Sequence, residues 1–190
     1  PTGAVVIANN DRYTRSTTVS LKIAATDASG VAQMCVSEAT TCTAWETYAA
    51  SKSFALANTQ GDHTVNVWLR DTIGNTTTVP LSTTVSLDSL PPTLGSLKST
   101  SSVSSIGLTW SNATDTVSGV ASYKLVYTKG SFTSPGSQCS TGTVVPISVA
   151  GKATLTGLSK GTVYRFRLCA TDNAGNTALG LVATVSTLSK

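Results

Sequence analysis

Leu158-Ser159-Lys160-Gly161-Thr162-Val163-Tyr164-Arg165-Phe166-Arg167-Leu168-Cys169-Ala170 is the stretch on which the fold turns. From Tyr164 onward the apolar residues fall at every second position: Tyr164, Phe166, Leu168 and Ala170. Arg165, Arg167 and Cys169 take the positions between. A period of two is that of a β-strand, whose successive side chains point to opposite faces. One face is therefore made for a core and the other for the outside of a sheet. Cys169 belongs to the outer set, away from the core.

The turn after this strand, Asp172-Asn173-Ala174-Gly175-Asn176-Thr177, repeats an earlier one, Asp71-Thr72-Ile73-Gly74-Asn75-Thr76. A second pair precedes them in the same order. Thr26-Asp27-Ala28-Ser29-Gly30-Val31-Ala32 recurs as Thr114-Asp115-Thr116-Val117-Ser118-Gly119-Val120-Ala121, with one residue inserted. Each half of the chain thus carries the same two turns, as tandem modules do. Between them lies Asp88-Ser89-Leu90-Pro91-Pro92-Thr93, whose Pro-Pro pair cannot join a ladder and makes a short, semi-rigid linker. Pro1-Thr2 matches Pro92-Thr93, which implies a preceding linker and module.

The 190 residues accommodate two sandwiches of about 100 residues each. Charged residues are only 12% of the chain, and β-branched residues recur in Thr17–Ser20, Val65–Val67, Thr76–Val79 and Val182–Val185. This composition suits pleated, half-buried surfaces. The expected strands are 4–8, 18–25, 31–37, 42–45, 51–56, 63–70 and 76–87 in the first half. In the second half they are 93–100, 104–110, 120–128, 142–149, 152–156, 162–171 and 176–187. About seven short strands per half, separated by Gly, Asn, Asp and Ser, is the sandwich pattern. The fold class is all-β, two tandem sandwiches: residues 1–88, a Pro-rich linker at 89–93, and residues 94–190.

The second half resembles fibronectin type III domains. Leu108-Thr109-Trp110 looks like strand B with Trp110 in the core, and Tyr123-Lys124-Leu125-Val126-Tyr127 looks like strand C. Leu158, Gly161 and Tyr164 match the L-x-x-G-x-x-Y corner, which implies that the Tyr164 hydroxyl bonds back to the upstream backbone. The first half is similar to bacterial immunoglobulin-like repeats. Pro1-Thr2-Gly3, Tyr13-Thr14, Ala25 to Val31, Thr43-Ala44-Trp45-Glu46 and Arg70 to Asn75 carry that resemblance. It implies a segment of a large secreted or surface protein.

Four cysteines are spaced C-x6-C (Cys35, Cys42) and C-x29-C (Cys139, Cys169), and neither spacing is a zinc pattern. Each pair falls within one half, so two intradomain disulfides and an oxidising compartment are the simplest account. The second bridge is expected to pin the long connection after strand C onto the outside of the sheet. The B–C and F–G loops of a sandwich emerge at one end. Asp27 is therefore expected near Asp71 and Asn75, and Asp115 near Asp172 and Asn176. Two readings stand for these clusters: Asx turns that bond the local backbone, or Ca²⁺ ligands, as in calcium-stiffened adhesin repeats.

Trp45, Tyr48 and Trp68 are candidate ligand-facing aromatics, and packing is the alternative for Trp45 and Trp68. His63 is the sole histidine, Glu38 and Glu46 are the only glutamates, and no G-x-S-x-G elbow is present. No catalytic residue is identified, and no enzyme is expected. The net charge of +4 is scattered, which argues against nucleic-acid binding, and no apolar run is long enough for a membrane span. The expected role is a non-catalytic spacer or adhesion segment of an exported bacterial protein. Its expected partners are neighbouring domains, surface proteins or polysaccharide. The alternatives are a carbohydrate-binding accessory module of a secreted enzyme and a calcium-stiffened adhesin extender. No other cofactor is expected.

Overall fold

The computed structural model describes residues 1–7, 10–130, 132–147 and 150–190. The expected strand ends at Ala8 and Val149 lie outside these residues. The chain divides into two compact units, Pro1–Ser89 and Leu90–Lys190.

The first unit carries β1 (Thr2–Ile7), β2 (Tyr13–Thr14), β3 (Thr18–Thr26), β4 (Val31–Ser37), β5 (Glu46–Thr47), β6 (Ser51–Ala55), β7 (Gly61–Asp71) and β8 (Leu81–Leu87). They form a three-stranded sheet, β1-β3-β6, and a five-stranded sheet, β2-β8-β7-β4-β5. β2 runs parallel to β8, with Tyr13 against Ser86; the other pairings are antiparallel. Period-two alternation drives the two inner faces together. Val5 and Ile7, then Val19, Leu21 and Ile23, meet Met34, Val65, Val67, Leu69 and Val85 in one core.

The second unit carries β9 (Leu97–Ser101), β10 (Ser105–Trp110), β11 (Val120–Lys129), β12 (Thr143–Val145), β13 (Lys152–Thr156), β14 (Val163–Asp172) and β15 (Leu181–Ser186). Its sheets are β13-β10-β9 and β12-β11-β14-β15, all antiparallel. Tyr164, Phe166 and Leu168 of β14 join Ile106, Leu108, Trp110 and Leu125 in the core. Phe166 is wholly buried.

The repeated turns occupy equivalent places. Gly30 (φ 80°) and Gly119 (φ 76°) take a backbone conformation that other residues rarely adopt. Directly after each, the pairing slips, between Val31 and Gln33 against β7 and between Val120 and Ser122 against β14. Such bulges re-aim the following strand.

Several strands differ from expectation. Residues 42–45 form no strand; Cys42 is tied back to Cys35, and only Glu46–Thr47 rejoin the ladder, against Gln33 and Met34. The last strand of each unit starts late, at Leu81 after Pro80 and at Leu181 after Gly180 (φ 97°). Pro80 offers no N–H to a ladder, and Gly180 turns the chain. β12 stops at Val145 because Pro146 follows. β9 begins at Leu97 rather than Thr93, and Thr93 makes only an isolated bridge to Thr114.

Candidate functional site

The acidic turns are internally satisfied. Asp71 lies at the end of β7, where its Oδ1 accepts the N–H of Ile73 at 3.0 Å and of Asn75 at 2.8 Å. Its Oδ2 accepts the Asn75 side-chain amide at 2.7 Å. Burial of Asp71 acts to raise its pKa, but the Asn75 side chain and the backbone N–H groups outweigh burial and hold the carboxyl below its ordinary range. Asp172 repeats the arrangement with Asn176, at 2.8 Å to each of its two oxygens. Asp115 Oδ1 collects the N–H groups of Val117, Ser118 and Gly119. Asp27 Oδ1 accepts Ser29 N–H at 2.8 Å, and its Oδ2 lies 2.9 Å from the Pro1 amino group.

The loops do converge within each unit. Thr72 Oγ1 donates to Ser29 O at 2.6 Å, and Asn173 Nδ2 donates to Ser118 O at 2.7 Å. An Asp115 oxygen and an Asp172 oxygen come within 4.8 Å of one another. The oxygens that accept these N–H groups close the turns, as Asx turns do.

Two stapled loops lie on the outer faces of the larger sheets. Cys35 is wholly buried although it points out of the first core, and it bonds Cys42. The loop so closed places Ala39 O on the side-chain amide of Asn66, 3.1 Å away. Ser82 Oγ donates to the other end of that amide at 2.7 Å. In the second unit, Cys139 and Cys169 bond across the outer face of β14 and make a small apolar cluster with Val126. Arg167 clamps the same connection: Nε donates to Pro135 O at 3.1 Å and Nη1 to Leu179 O at 2.7 Å. Gln138 and Cys139 hold positive φ there, a local strain that the bridge and the clamp hold in place.

The aromatics divide. Tyr48 is structural: its hydroxyl donates to Ile23 O at 2.9 Å. Trp45 is half-buried, with the Arg70 guanidinium 3.9 Å above its ring, and Arg70 is itself held by Gln33 at 3.1 Å. Trp45 also lines a groove of about 450 Å³ with Val36, Glu46, Lys52 and Phe54. Trp68 is half-buried on the outer face of β7, paired with Cys35, and does not line that groove. Tyr164 is buried, and its hydroxyl accepts Ser159 N–H at 3.1 Å, closing the corner. Trp110 is 7% exposed and tilts against Tyr123, ring centroids 6.1 Å apart.

Sequence reasoning missed the environment of His63. It is 6% exposed, with Nδ1 2.5 Å from Glu38 Oε1 and Nε2 2.7 Å from Thr59 O. Burial acts to lower its pKa, but the Thr59 carbonyl and the Glu38 carboxylate outweigh burial and raise it above the ordinary value. Both ring nitrogens face acceptors, so the imidazolium satisfies both. Glu38 also receives Ala57 N–H at 2.8 Å. No nucleophile faces this histidine among its described partners.

Residues 90–186 match the family model described as the fibronectin type III domain. No curated protein matches the sequence. Three solved structures share the fold. The chain covers 98% of itself and 67% of the chicken CNTN1 FN1-FN3 domains, with a TM-score of 0.51 and 13% identity. Against a segment of titin the figures are 98%, 66%, 0.62 and 13%. Against the Clostridium thermocellum CbhA fibronectin(III)-like modules they are 97%, 94%, 0.52 and 12%. The chain thus spans about two thirds of the contactin and titin segments.

Proposed function

The chain belongs to the fibronectin type III domain family, and from that premise we propose that it is a non-catalytic spacer and interaction segment of an exported or cell-surface bacterial protein. That family commonly supplies structural and interaction modules. We read the chain as two tandem sandwiches joined through residues 89–93, the first of immunoglobulin-like type. The parallel pairing of β2 with β8, beside a β1-β3-β6 sheet, supports the immunoglobulin-like reading. The observation that carries the role is the use made of polar groups. His63, Glu38, Asp71, Asp115 and Asp172 each hold a loop in place by hydrogen bonds, and all four cysteines are bridged. Disulfides of this kind persist in oxidising compartments. No helix among the described residues is long and apolar enough to cross a membrane.

The test is calorimetry on residues 1–190 and on each half expressed alone. The proposal requires that each half unfold as a cooperative unit and that reductant lower both transitions. A half that is folded only in the presence of the other would overturn the tandem reading.

One observation favours a second reading, an accessory carbohydrate-binding module. Trp45 lines a groove with hydrogen-bonding Glu46 and Lys52 at its side, themselves paired at 2.8 Å. Titration with neutral glucans while following tryptophan fluorescence tests it. A response abolished by Trp45→Ala supports that reading, and a flat titration removes it.

A further inference from the structure

The two disulfides differ in what stands over them. Cys139 and Cys169 are each 1% exposed, and a Cβ on Gly180 would lie 2.8 Å from Cys169 Sγ, so the chain leading into β15 closes directly over that sulfur. Cys35 is wholly buried too, but its partner Cys42 is half-buried, in a segment that forms no strand. A thiolate can reach the first bridge from solvent at Cys42, and the second offers no such end.

The ring closed by Cys35 and Cys42 carries the groups that bind this loop to the rest of the unit. Ser37 Oγ accepts Ala39 N–H at 3.0 Å, and Ala39 O accepts the side-chain amide of the buried Asn66. Glu38 reaches furthest: one oxygen accepts Ala57 N–H at 2.8 Å and the other meets His63 Nδ1. The Glu38 side chain is 26% exposed and that of His63 6%, so their attraction is largely shielded from water. Glu38 and Asp62, the neighbour of His63 on β7, are the carboxylates that act on the imidazole. β8 sets Val85 opposite it, and the segment before β7 gives the Thr59 carbonyl. Asp62 is held by the Ser86 hydroxyl of β8. Of the two carboxylates, Glu38 is the one carried by the disulfide ring.

We propose that Cys35–Cys42 is a thiol-exchangeable latch, coupled through Glu38 to the proton on His63, whereas Cys139–Cys169 is a permanent staple. Closing the bridge holds the Glu38 carboxylate against the imidazolium, and by reciprocity the protonated imidazole favours the closed bridge. Opening begins when a low-molecular-weight thiolate attacks Cys42 Sγ. A mixed disulfide forms, and the Cys35 sulfur leaves as a thiolate and takes a proton. A second thiolate of the same kind resolves the mixed disulfide, and the Cys42 sulfur takes a proton in turn. Two thiols are oxidised to their disulfide, two cysteines are reduced, and below the thiol range no net proton is exchanged with solvent. Any pH dependence of the equilibrium in that range therefore reports another group. With the bridge closed, His63 keeps its proton to higher pH than with the bridge open, so rising pH favours opening. The latch lies within the first unit and does not depend on the spacer role.

The experiment equilibrates residues 1–190 in glutathione buffers between about pH 5 and about pH 7.5, below the thiol range. Alkylation and mass spectrometry count each bridge, and near-ultraviolet circular dichroism follows the fold. Cys35–Cys42 is expected to open while Cys139–Cys169 stays closed. Its ratio of reduced to oxidised form is expected to rise about tenfold over that range, as the loss of one charge-assisted hydrogen bond requires. His63→Gln and Glu38→Gln, which leave both bridges in place, are each expected to hold the rise within about twofold. His63 is the sole histidine, so its proton resonance titrates without overlap, and it is expected to titrate at lower pH once the bridge is open. Reduction of both bridges together would overturn the distinction between latch and staple. An undiminished rise in His63→Gln, or a His63 titration unmoved by reduction, would overturn the coupling. Loss of the near-ultraviolet signal on reduction would mean that the bridge holds the whole sandwich, and would overturn the latch.

Discussion

Glu38 and His63 stand 25 residues apart and meet with Oε1 2.5 Å from Nδ1. The pair ties the segment after β4 to the start of β7, while Thr59 O holds the far ring nitrogen. The folded-state pKa of His63 is raised, so the stabilisation is fully present below the unfolded value of about 6.5. It is lost as pH rises through the folded value. Urea midpoints of the first unit are therefore expected to fall as pH rises above about 6.5 and through the raised folded value, and His63→Gln to flatten that dependence. A midpoint that is level from pH 5 to 9 in the parent chain would refute the clamp.

The Asp71 turn has the opposite sign. Its folded pKa is lowered, so its contribution is kept above the unfolded value of about 3.9 and lost as pH falls through the folded one. Asp71→Ala and Asp172→Ala are each expected to lower the melting temperature of their own unit. Calcium at millimolar concentration is expected to leave the parent melting temperature where chelator leaves it. A rise with calcium would show that an ion displaces the N–H donors.

Removing the two bridges is expected to give unequal losses. In the chain-entropy account the Cys139–Cys169 pair, separated by 30 residues, contributes roughly 3–4 kcal/mol, and the Cys35–Cys42 pair, separated by 7, roughly 2–3. Paired Cys→Ser variants followed by chemical denaturation measure both. Equal losses, or a larger one in the first unit, would mean that the Asn66 contacts matter more than loop entropy.

Two core probes of the second unit separate a hydrogen bond from packing. Tyr164→Phe removes the acceptor for Ser159 N–H and is expected to cost roughly 0.5–1.5 kcal/mol. Trp110→Ala opens the inner face of β10 and is expected to cost roughly 3–5 kcal/mol. Denaturant midpoints at constant m decide the ratio, and a Tyr164→Phe loss as large as that of Trp110→Ala would contradict it.

Local periodicity made much of this architecture readable. The alternation along Tyr164 to Ala170 placed Phe166 and Leu168 inside and Cys169 outside, because a strand leaves no other choice. The twin Asp-x-x-Gly-Asn turns were readable for the same reason, since Asp71 and Asn75 bond one another within a single loop. Contacts made by register were not readable. Glu38 reaches His63, Arg70 covers Trp45, and Lys98 faces Lys152 across Thr109 only after β4 pairs with β7 and β10 takes its two neighbours. Strand ends also escaped, because Pro80 and Gly180 interrupt runs whose composition remains β-forming on both sides. Asp-Asn loops look alike in sequence, and the partners of Asp71 Oδ1 and Oδ2 are seen only in three dimensions.

The bridges have a consequence for a protein met by peptidases. A backbone cut between Cys35 and Cys42, or anywhere between Cys139 and Cys169, leaves the two fragments covalently joined. The second interval takes in the exposed residues 140–144, the whole of β12 and β13, and the corner that Tyr164 closes. A nicked chain would keep its length and its continuity from end to end, which is what a tether has to preserve.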